Sequence, residues 1–562
     1  MDSTALPALP DEPGVELRDD YDDLLLNAGV IDTASQHGQS LRGMKPLSSG
    51  KRLHIVQYAG PIQPTWYQEL EATGVQVVTY IPNNAYLVYG DATSLGALRQ
   101  HISATPVIQW NGDYLEDYKL HPAIQTLPVP TYSIQIIKDE ETNGETLELI
   151  RQLQSRDGVI HEALGYVNVV AYLTREQLNQ LVTRPDLVSI QPRVPPRKVD
   201  ERQNMIVAGQ VTSTGLPTAP GYLAWLASKG FTQAQFTASG FGVDVSDSGV
   251  DNGSATPNHF GLYTGGRVTQ ASRVAYARLE GSANAGSTLQ GCDGHGNLNA
   301  HIIGGYANQT GAPYVDAQGF THGLGVAPFV KVGSSVVFDP SNFTNPNYEN
   351  LQSRAYRDGM RISNNSWGAD FNGYDADAQR YDALVRDAQP TGSSVPAVGN
   401  QEMVIVFAAG NAGPGANTVG TPGTAKNIIS VGASENVRAF GAPDFCGTGD
   451  NEADNLHEVA SFSSRGPASD GRKKPDLMAP GTHVAGGVGQ VAGQRNEPPA
   501  GPNGQSLSCF NGEGVCGGPQ NNYYPVGQQW YTASSGTSHS APAVAGGAAL
   551  VRQYFINQGM AP

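Results

Sequence analysis

Four short blocks from residue 242 onward hold residue types that together could attack an acyl carbon. Asp247 ends the apolar-alternating run in GVDVSDSGVD. His295 lies between glycines in CDGHGNLNAHIIGG, at the start of a helical stretch. Ser538 opens the apolar helix of SSGTSHSAPAVAGGAAL, and Asn411 sits on the glycine-flanked turn of VFAAGNAGP. A serine hydroxyl is a weak nucleophile near neutral pH and needs an imidazole to take its proton. The imidazole in turn needs a carboxylate that fixes its tautomer and stabilises its charged form. A serine at a helix N-terminus also offers its own N–H, aided by the helix dipole, to a developing oxyanion. An asparagine amide on a facing turn would supply the second donor.

Each residue has a plainer reading beside it. Ser538 could cap a helix, His295 could be a satisfied core histidine, and Asn411 could merely stabilise a turn. Asp244 and Asp251 compete with Asp247, but Asp251 falls in a Gly/Asn turn and reads as solvated. His483, in GTHVAGG, imitates the His295 block but follows Asn411, so it reads as a loop residue. Asp293 could tune the charge of His295 or meet a basic substrate side chain. It could equally be a solvated loop carboxylate.

With these flanks, the chain order Asp, His, Asn, Ser resembles the subtilisin-like serine peptidases, the subtilases. RISNNSWG resembles the family strand that lines the non-primed substrate cleft. It would set Ser366, Trp367 and Gly368 against the substrate backbone, with Ala409 and Gly410 of the asparagine turn opposite and Trp367 as an apolar wall. ASFSSRGPASDGRKKPDLMAPG resembles a segment downstream of the oxyanion asparagine. The likeness covers roughly 240–562. It implies a three-layer α/β fold and endopeptidase activity, with Asp247, His295 and Ser538 as triad and Asn411 in the oxyanion hole. It implies no required cofactor. Structural calcium is a family feature, but no compact acidic run lets a site be placed. His539 departs from the family's commonest methionine after the nucleophile, which predicts resistance to peroxide.

These blocks must be positioned by a larger scaffold. A chain of 562 residues predicts several domains. From 240 onward, short apolar strands alternate with helical stretches, which implies a mostly parallel sheet covered on both faces. The catalytic domain is assigned to 211–562, and the short run after Ser538 suggests that the sequence stops before the domain's last elements. Segments 437–458 and 484–530 read as insertions, the second as a shaper of the cleft rim.

Upstream, residues 51–128 and 129–191 each show the order strand, helix, strand, strand, helix, strand, so a duplicated ferredoxin-like α+β arrangement is expected. This region lies where subtilases carry an inhibitory, folding-assisting propeptide. Residues 192–210, with PRVPPRKVDERQ, read as a linker holding a processing site. Residues 1–50, with nine acidic and three basic side chains, read as a flexible leader.

The net charge of −17 disfavours nucleic acid and anionic membrane as partners. Protein or peptide substrates and the chain's own N-terminal region remain. No apolar run reaches the length of a membrane span. The N-terminus lacks the pattern of a secretory signal. The four cysteines nevertheless suggest a secreted or periplasmic protein whose signal is absent from the sequence. Cys509 and Cys516 flank a short Gly/Asn-rich loop that a bridge could close. Two rivals remain: a transpeptidase or macrocyclase on the same fold, and a catalytically silent binding module.

Overall fold

The computed structural model describes residues 21–560, apart from 46–48, 126–130, 157, 164, 193–196, 199–203, 213–215, 219, 317–318, 439, 441–442, 492–503 and 517–522. The chain divides into two compact units, Met1–Pro192 and Arg193–Pro562.

The first unit holds two four-stranded antiparallel sheets. One is built from Lys51–Tyr58, Gln76–Ile81, Ala85–Asp91 and Ile108–Asp113, the other from Thr131–Ile137, Val159–Ala163, Tyr166–Tyr172 and Leu187–Pro192. In each, the spatial order is fourth, first, third, second strand, with a helix after the first and third. One core joins Leu53, Ile55, Leu87 and Tyr89 of the first sheet to Ile137, Tyr166 and Val188 of the second half.

The stretch 21–45, expected as part of a flexible leader, is structured. Asp23–Leu26 pairs antiparallel with Gly29–Asp32, and a short helix follows at Gln36–Ser40. Leu24 and Ile31 enter the shared core, and the Trp110 indole donates to the Gly38 carbonyl at 2.9 Å. Each strand has only four residues, too few to show a period against the acidic background.

The second unit is built on one parallel sheet. Its strands are β1 Gly242–Asp247, β2 Val274–Leu279, β3 Lys331–Val336, β4 Met360–Asn365, β5 Val404–Ala408, β6 Ile429–Ser434 and β7 Leu477–Pro480. The order across the sheet is β2-β3-β1-β4-β5-β6-β7, and every neighbouring pair is parallel. Helices α1 His295–Gly304 and α4 Thr537–Asn557 lie on one face. Helices α2 Tyr348–Arg357 and α3 Ala376–Arg386 lie on the other.

Side-chain alternation along β5 shows why two cores form. Val406 and Ala408 join the cluster under α1 and α4, while Ile405 and Phe407 join the aromatic cluster under α2 and α3. This is the three-layer α/β arrangement expected from strands buried on both faces. Helix α4 buries Ala541, Ala543, Ala545 and Ala549, small residues that let it lie close to the sheet.

The linker contains more regular structure than its prolines suggest. Arg197–Lys198 pairs antiparallel with Trp367–Gly368, just beyond the end of β4. Asn204–Val207 forms a helical turn. Pairing is available at Arg197 because the prolines stop at Pro196.

Candidate active site

The carboxyl ends of the central strands of a parallel sheet, where the chain leaves for the loops, form the natural crevice of an open α/β fold. Asp247 is the last residue of β1 and His295 the first of α1. The two meet: His295 Nδ1 lies 2.7 Å from Asp247 Oδ1, and both side chains are buried. Gly296 makes this approach feasible, since a Cβ there would fall 3.1 Å from the Asp247 Cβ and 2.6 Å from the Gly249 carbonyl oxygen.

Several groups hold the pair. The Ser248 N–H donates to Asp247 Oδ1 at 2.7 Å. The Ser248 hydroxyl donates to Asp293 Oδ1 at 2.5 Å and accepts from the Gly296 N–H at 3.1 Å. Asp293 Oδ1 also accepts the His295 N–H at 3.0 Å, which satisfies one of the orphan donors of the α1 N-terminus. Asp293 is therefore not a solvated loop carboxylate. It is buried and braces the turn that carries His295.

Ser538 is the second residue of α4, so its N–H is among the first four of the helix and has no intrahelical acceptor. Its hydroxyl donates to the Ser366 carbonyl oxygen at 2.6 Å. The structure thus joins the carboxylate to the imidazole, while the alcohol rests on the backbone of the neighbouring strand end. The reverse bond has a chemical cause. Pro542 has no N–H to give the Ser538 carbonyl four residues earlier, and the Ser366 hydroxyl takes that place at 2.7 Å.

Asn411 Oδ1 accepts from the Thr537 N–H at 3.0 Å and from its hydroxyl at 2.9 Å. With its oxygen fixed on the residue before Ser538, the amide nitrogen is left to other partners. Gly410 donates its N–H to the Thr537 hydroxyl at 3.1 Å with φ +105°, a conformation glycine allows. Ala409 is buried, with its N–H on the Val431 carbonyl at 2.9 Å.

Trp367 does not form a cleft wall with its side chain. The indole is buried among Phe343, Tyr348, Tyr381 and Phe407, with ring centroids 5.1–6.1 Å away. Side chains alternate along an extended segment, so here the backbone meets the paired strand while the ring points into the core.

The competing residues have other partners. Asp251 is buried rather than solvated, and accepts from the N–H groups of Asn252, Asn258, His259 and Gln490. Asp244 accepts from the Tyr276 and Ser335 hydroxyls, and burial pushes its carboxyl up to about 6. His483 stacks on Phe440 with centroids 4.1 Å apart, its ring nitrogens on the Arg438 and Thr448 carbonyls, consistent with a loop residue.

The cysteines pair as Cys292–Cys509 and Cys446–Cys516, so the expected closure of Cys509 on Cys516 does not occur. Each joins the second insertion to a distant loop, a pairing that spacing cannot reveal. The insertion meets the His295 turn directly. Asn511 and Gly514 donate their N–H groups to the Cys292 and Asp293 carbonyls at 2.9 and 3.0 Å. Gly514 is needed for this contact, since a Cβ there would fall 2.7 Å from the His295 Cβ. Sequence reasoning missed Asn299, which donates from Nδ2 to Asp247 Oδ2 at 3.0 Å. A signal existed: a polar residue one turn after His295, on the same face of the helix.

Among the described residues, no group of three or more His, Cys, Asp or Glu side chains is arranged to hold a metal ion. No described helix is long and apolar enough to cross a membrane.

Residues 238–562 match the subtilase family (Peptidase S8), and residues 25–115 match a domain of unknown function (DUF8729). Serine protease AprX of Bacillus subtilis is 32% identical over 177 residues, covering 32% of this chain and 31% of that protein. Pyrolysin of Pyrococcus furiosus is 47% identical over 87 residues, covering 14% of this chain and 6% of its own length. The chain thus spans about a third or less of these two relatives. Among solved structures, sphericase matches at 21% identity and a TM-score of 0.29, over 56% of this chain and 77% of its own. Patellamide maturation protease PatA matches at 18% identity and a TM-score of 0.31, over 57% and 81%. With the family match spanning more than half of its residues, the chain belongs to the subtilase family.

Proposed function

We propose that the chain is a serine endopeptidase held latent as a precursor, with Asp247, His295 and Ser538 as its triad and Asn411 as its oxyanion side chain. The observation that carries the reading is the 2.7 Å contact between Asp247 and His295 beside a serine at the head of a buried helix. In the reaction, the Ser538 hydroxyl leaves the Ser366 carbonyl and turns to His295 Nε2. Oγ bonds to the peptide carbonyl carbon as its proton passes to the imidazole. The Ser538 N–H and the Asn411 amide hold the oxyanion. The C–N bond breaks, and the amine leaves with the proton from His295. Water, deprotonated by the same imidazole, then releases the acid from Ser538.

The pairing of Arg197–Lys198 with Trp367–Gly368 supports both the substrate mode and the latency. The segment Arg197–Lys198 pairs antiparallel with Trp367–Gly368, as an extended peptide substrate would. Here that segment is the chain's own linker. Cutting within 192–210 would release the cleft and separate the N-terminal unit, which acts as an inhibitory partner in cis. Two disulfides fit an oxidising compartment, so we place the protein outside the cytoplasm.

The test is N-terminal sequencing and mass spectrometry after incubation, wild type beside Ser538→Ala. A new terminus in 192–210 is expected from the wild type only. Fluorophosphonate labelling of the wild type would separate an enzyme from a silent module, and ligated rather than hydrolysed products would mark a transpeptidase. An unprocessed, unlabelled wild type that leaves casein intact would overturn the reading.

A further inference from the structure

The residue after Ser538 and the residue one turn after His295 form a polar connection that the proposed reaction does not yet use. His539 Nδ1 lies 2.8 Å from Asn299 Oδ1, and Asn299 Nδ2 lies 3.0 Å from Asp247 Oδ2. All three side chains are buried. The direction of each bond is fixed by its neighbour. The Asp247 carboxylate can only accept, so Asn299 must turn its NH2 toward Asp247 and its carbonyl toward His539. His539 must then carry its proton on Nδ1. Burial pushes the His539 imidazole well below the ordinary range, so it donates as a neutral ring.

The geometry points to Asn299 and His539 as positioning residues for the proposed triad: His539 orients the Asn299 amide, and that amide holds the second oxygen of Asp247 so that the first faces His295. Asp247 Oδ1 takes the His295 ring, the Ser248 N–H and the Ser248 hydroxyl, and Asn299 adds a donor on Oδ2, so the plane of the carboxylate is held from both oxygens. The Asn299 nitrogen also lies 3.2 Å from His295 Nδ1, so the amide limits the imidazole's tilt. Because the connection runs from α1 to the residue beside the nucleophile on α4, it also sets the spacing of the two helices that carry imidazole and alcohol. His539 does not replace His295 as base, since its Nδ1 is engaged and the two rings stand 5.9 Å apart.

The inference rests on the proposed peptidase reading, and its test separates the two. In the full chain, His539→Met removes the donor, while His539→Asn keeps one, because an asparagine amide nitrogen stands the same number of bonds from the backbone as imidazole Nδ1. Asn299→Leu removes the link from the other side. Misplacing a reacting group by about 1 Å can cost about 100-fold. We expect His539→Met and Asn299→Leu each to lower kcat about 10- to 100-fold with KM within about twofold, and His539→Asn to recover most of the loss. The double variant should be no slower than the slower single one, as for two residues acting through one connection.

Additive losses, or His539→Met as fast as wild type, would overturn the inference. A readout independent of turnover is the proton resonance of His295 Nδ1–H bonded to Asp247. It should move in His539→Met and Asn299→Leu and stay in place in His539→Asn. Should the wild type neither label nor cleave, the peptidase reading fails alone, because a resonance identical in all variants overturns the positioning and a moved one supports it.

Discussion

Ser538 and Ser366 exchange two hydrogen bonds, and only one of them must break for the proposed chemistry. The Ser538 hydroxyl donating to the Ser366 carbonyl is a resting contact that a turn of one side chain removes. The Ser366 hydroxyl on the Ser538 carbonyl is structural, because Pro542 cannot satisfy that oxygen. Ser366→Ala should therefore destabilise the fold by about 1–3 kcal/mol, the cost of a buried acceptor left without a donor. Adding Pro542→Ala returns a backbone N–H to the same oxygen and should recover part of the loss. Urea unfolding of the two variants measures this, and a Ser366→Ala effect that Pro542→Ala leaves untouched would refute the account. His539 carries a second expectation at this scale. With no methionine beside the nucleophile, dilute peroxide should leave labelling of Ser538 unchanged, and rapid loss of labelling would count against it.

At the scale of elements, β1 carries two carboxylates with opposite situations. Asp247, at the strand end, has charged-form partners. Asp244, three residues earlier, is enclosed by the sheet, with the Tyr276 and Ser335 hydroxyls as its donors among the described residues. Burial raises its folded value from 3.8 to about 6. Between those values the folded state binds more protons than the unfolded one, so this group's contribution falls as pH rises from about 4 to 6 and is then flat. Asp244→Asn should remove that slope. The variant should gain on wild type by about 2–3 kcal/mol between pH 4 and pH 7, read as the difference of two urea-unfolding series. A constant difference across that range would contradict it.

Much of this scale was legible in the sequence. The alternation of short strands and helices in 240–562 announces a sheet covered on both faces, and the glycine-flanked Asp247 and His295 blocks mark a strand end and a helix start. Other features were hidden for physical reasons. Trp367 was misread because an extended segment gives a side chain two faces, and only the packed core shows which one it takes. The hairpin at 23–32 was hidden because two buried side chains make no period. The spacing of Asn299 from His295 was legible, but its link to His539 was not, because the two lie 240 positions apart on different helices.

The second insertion connects these scales across the catalytic unit. It is bound at Cys509 to the loop before α1, and at Cys516 to the loop holding Cys446. Between the two bridges, Phe510 and Val515 are buried against Gly294, and Gly514 touches His295. The bridges therefore do more than staple the chain, because they press the insertion onto the turn that aims the imidazole. The sequence separations are 217 and 70 residues, so chain entropy ranks their effects on stability. The Cys292–Cys509 bridge should contribute about 1 kcal/mol more than Cys446–Cys516, each being worth about 4–5 kcal/mol in that account. Serine pairs at each bridge, compared by urea unfolding, check the ranking. Activity should divide the two bridges further. Opening Cys292–Cys509 frees the residue three positions before His295 and should lower kcat in the folded variant, while opening Cys446–Cys516 leaves that turn tied at Cys292. Equal kcat in the two folded variants would show that the insertion only stabilises the unit and does not aim His295.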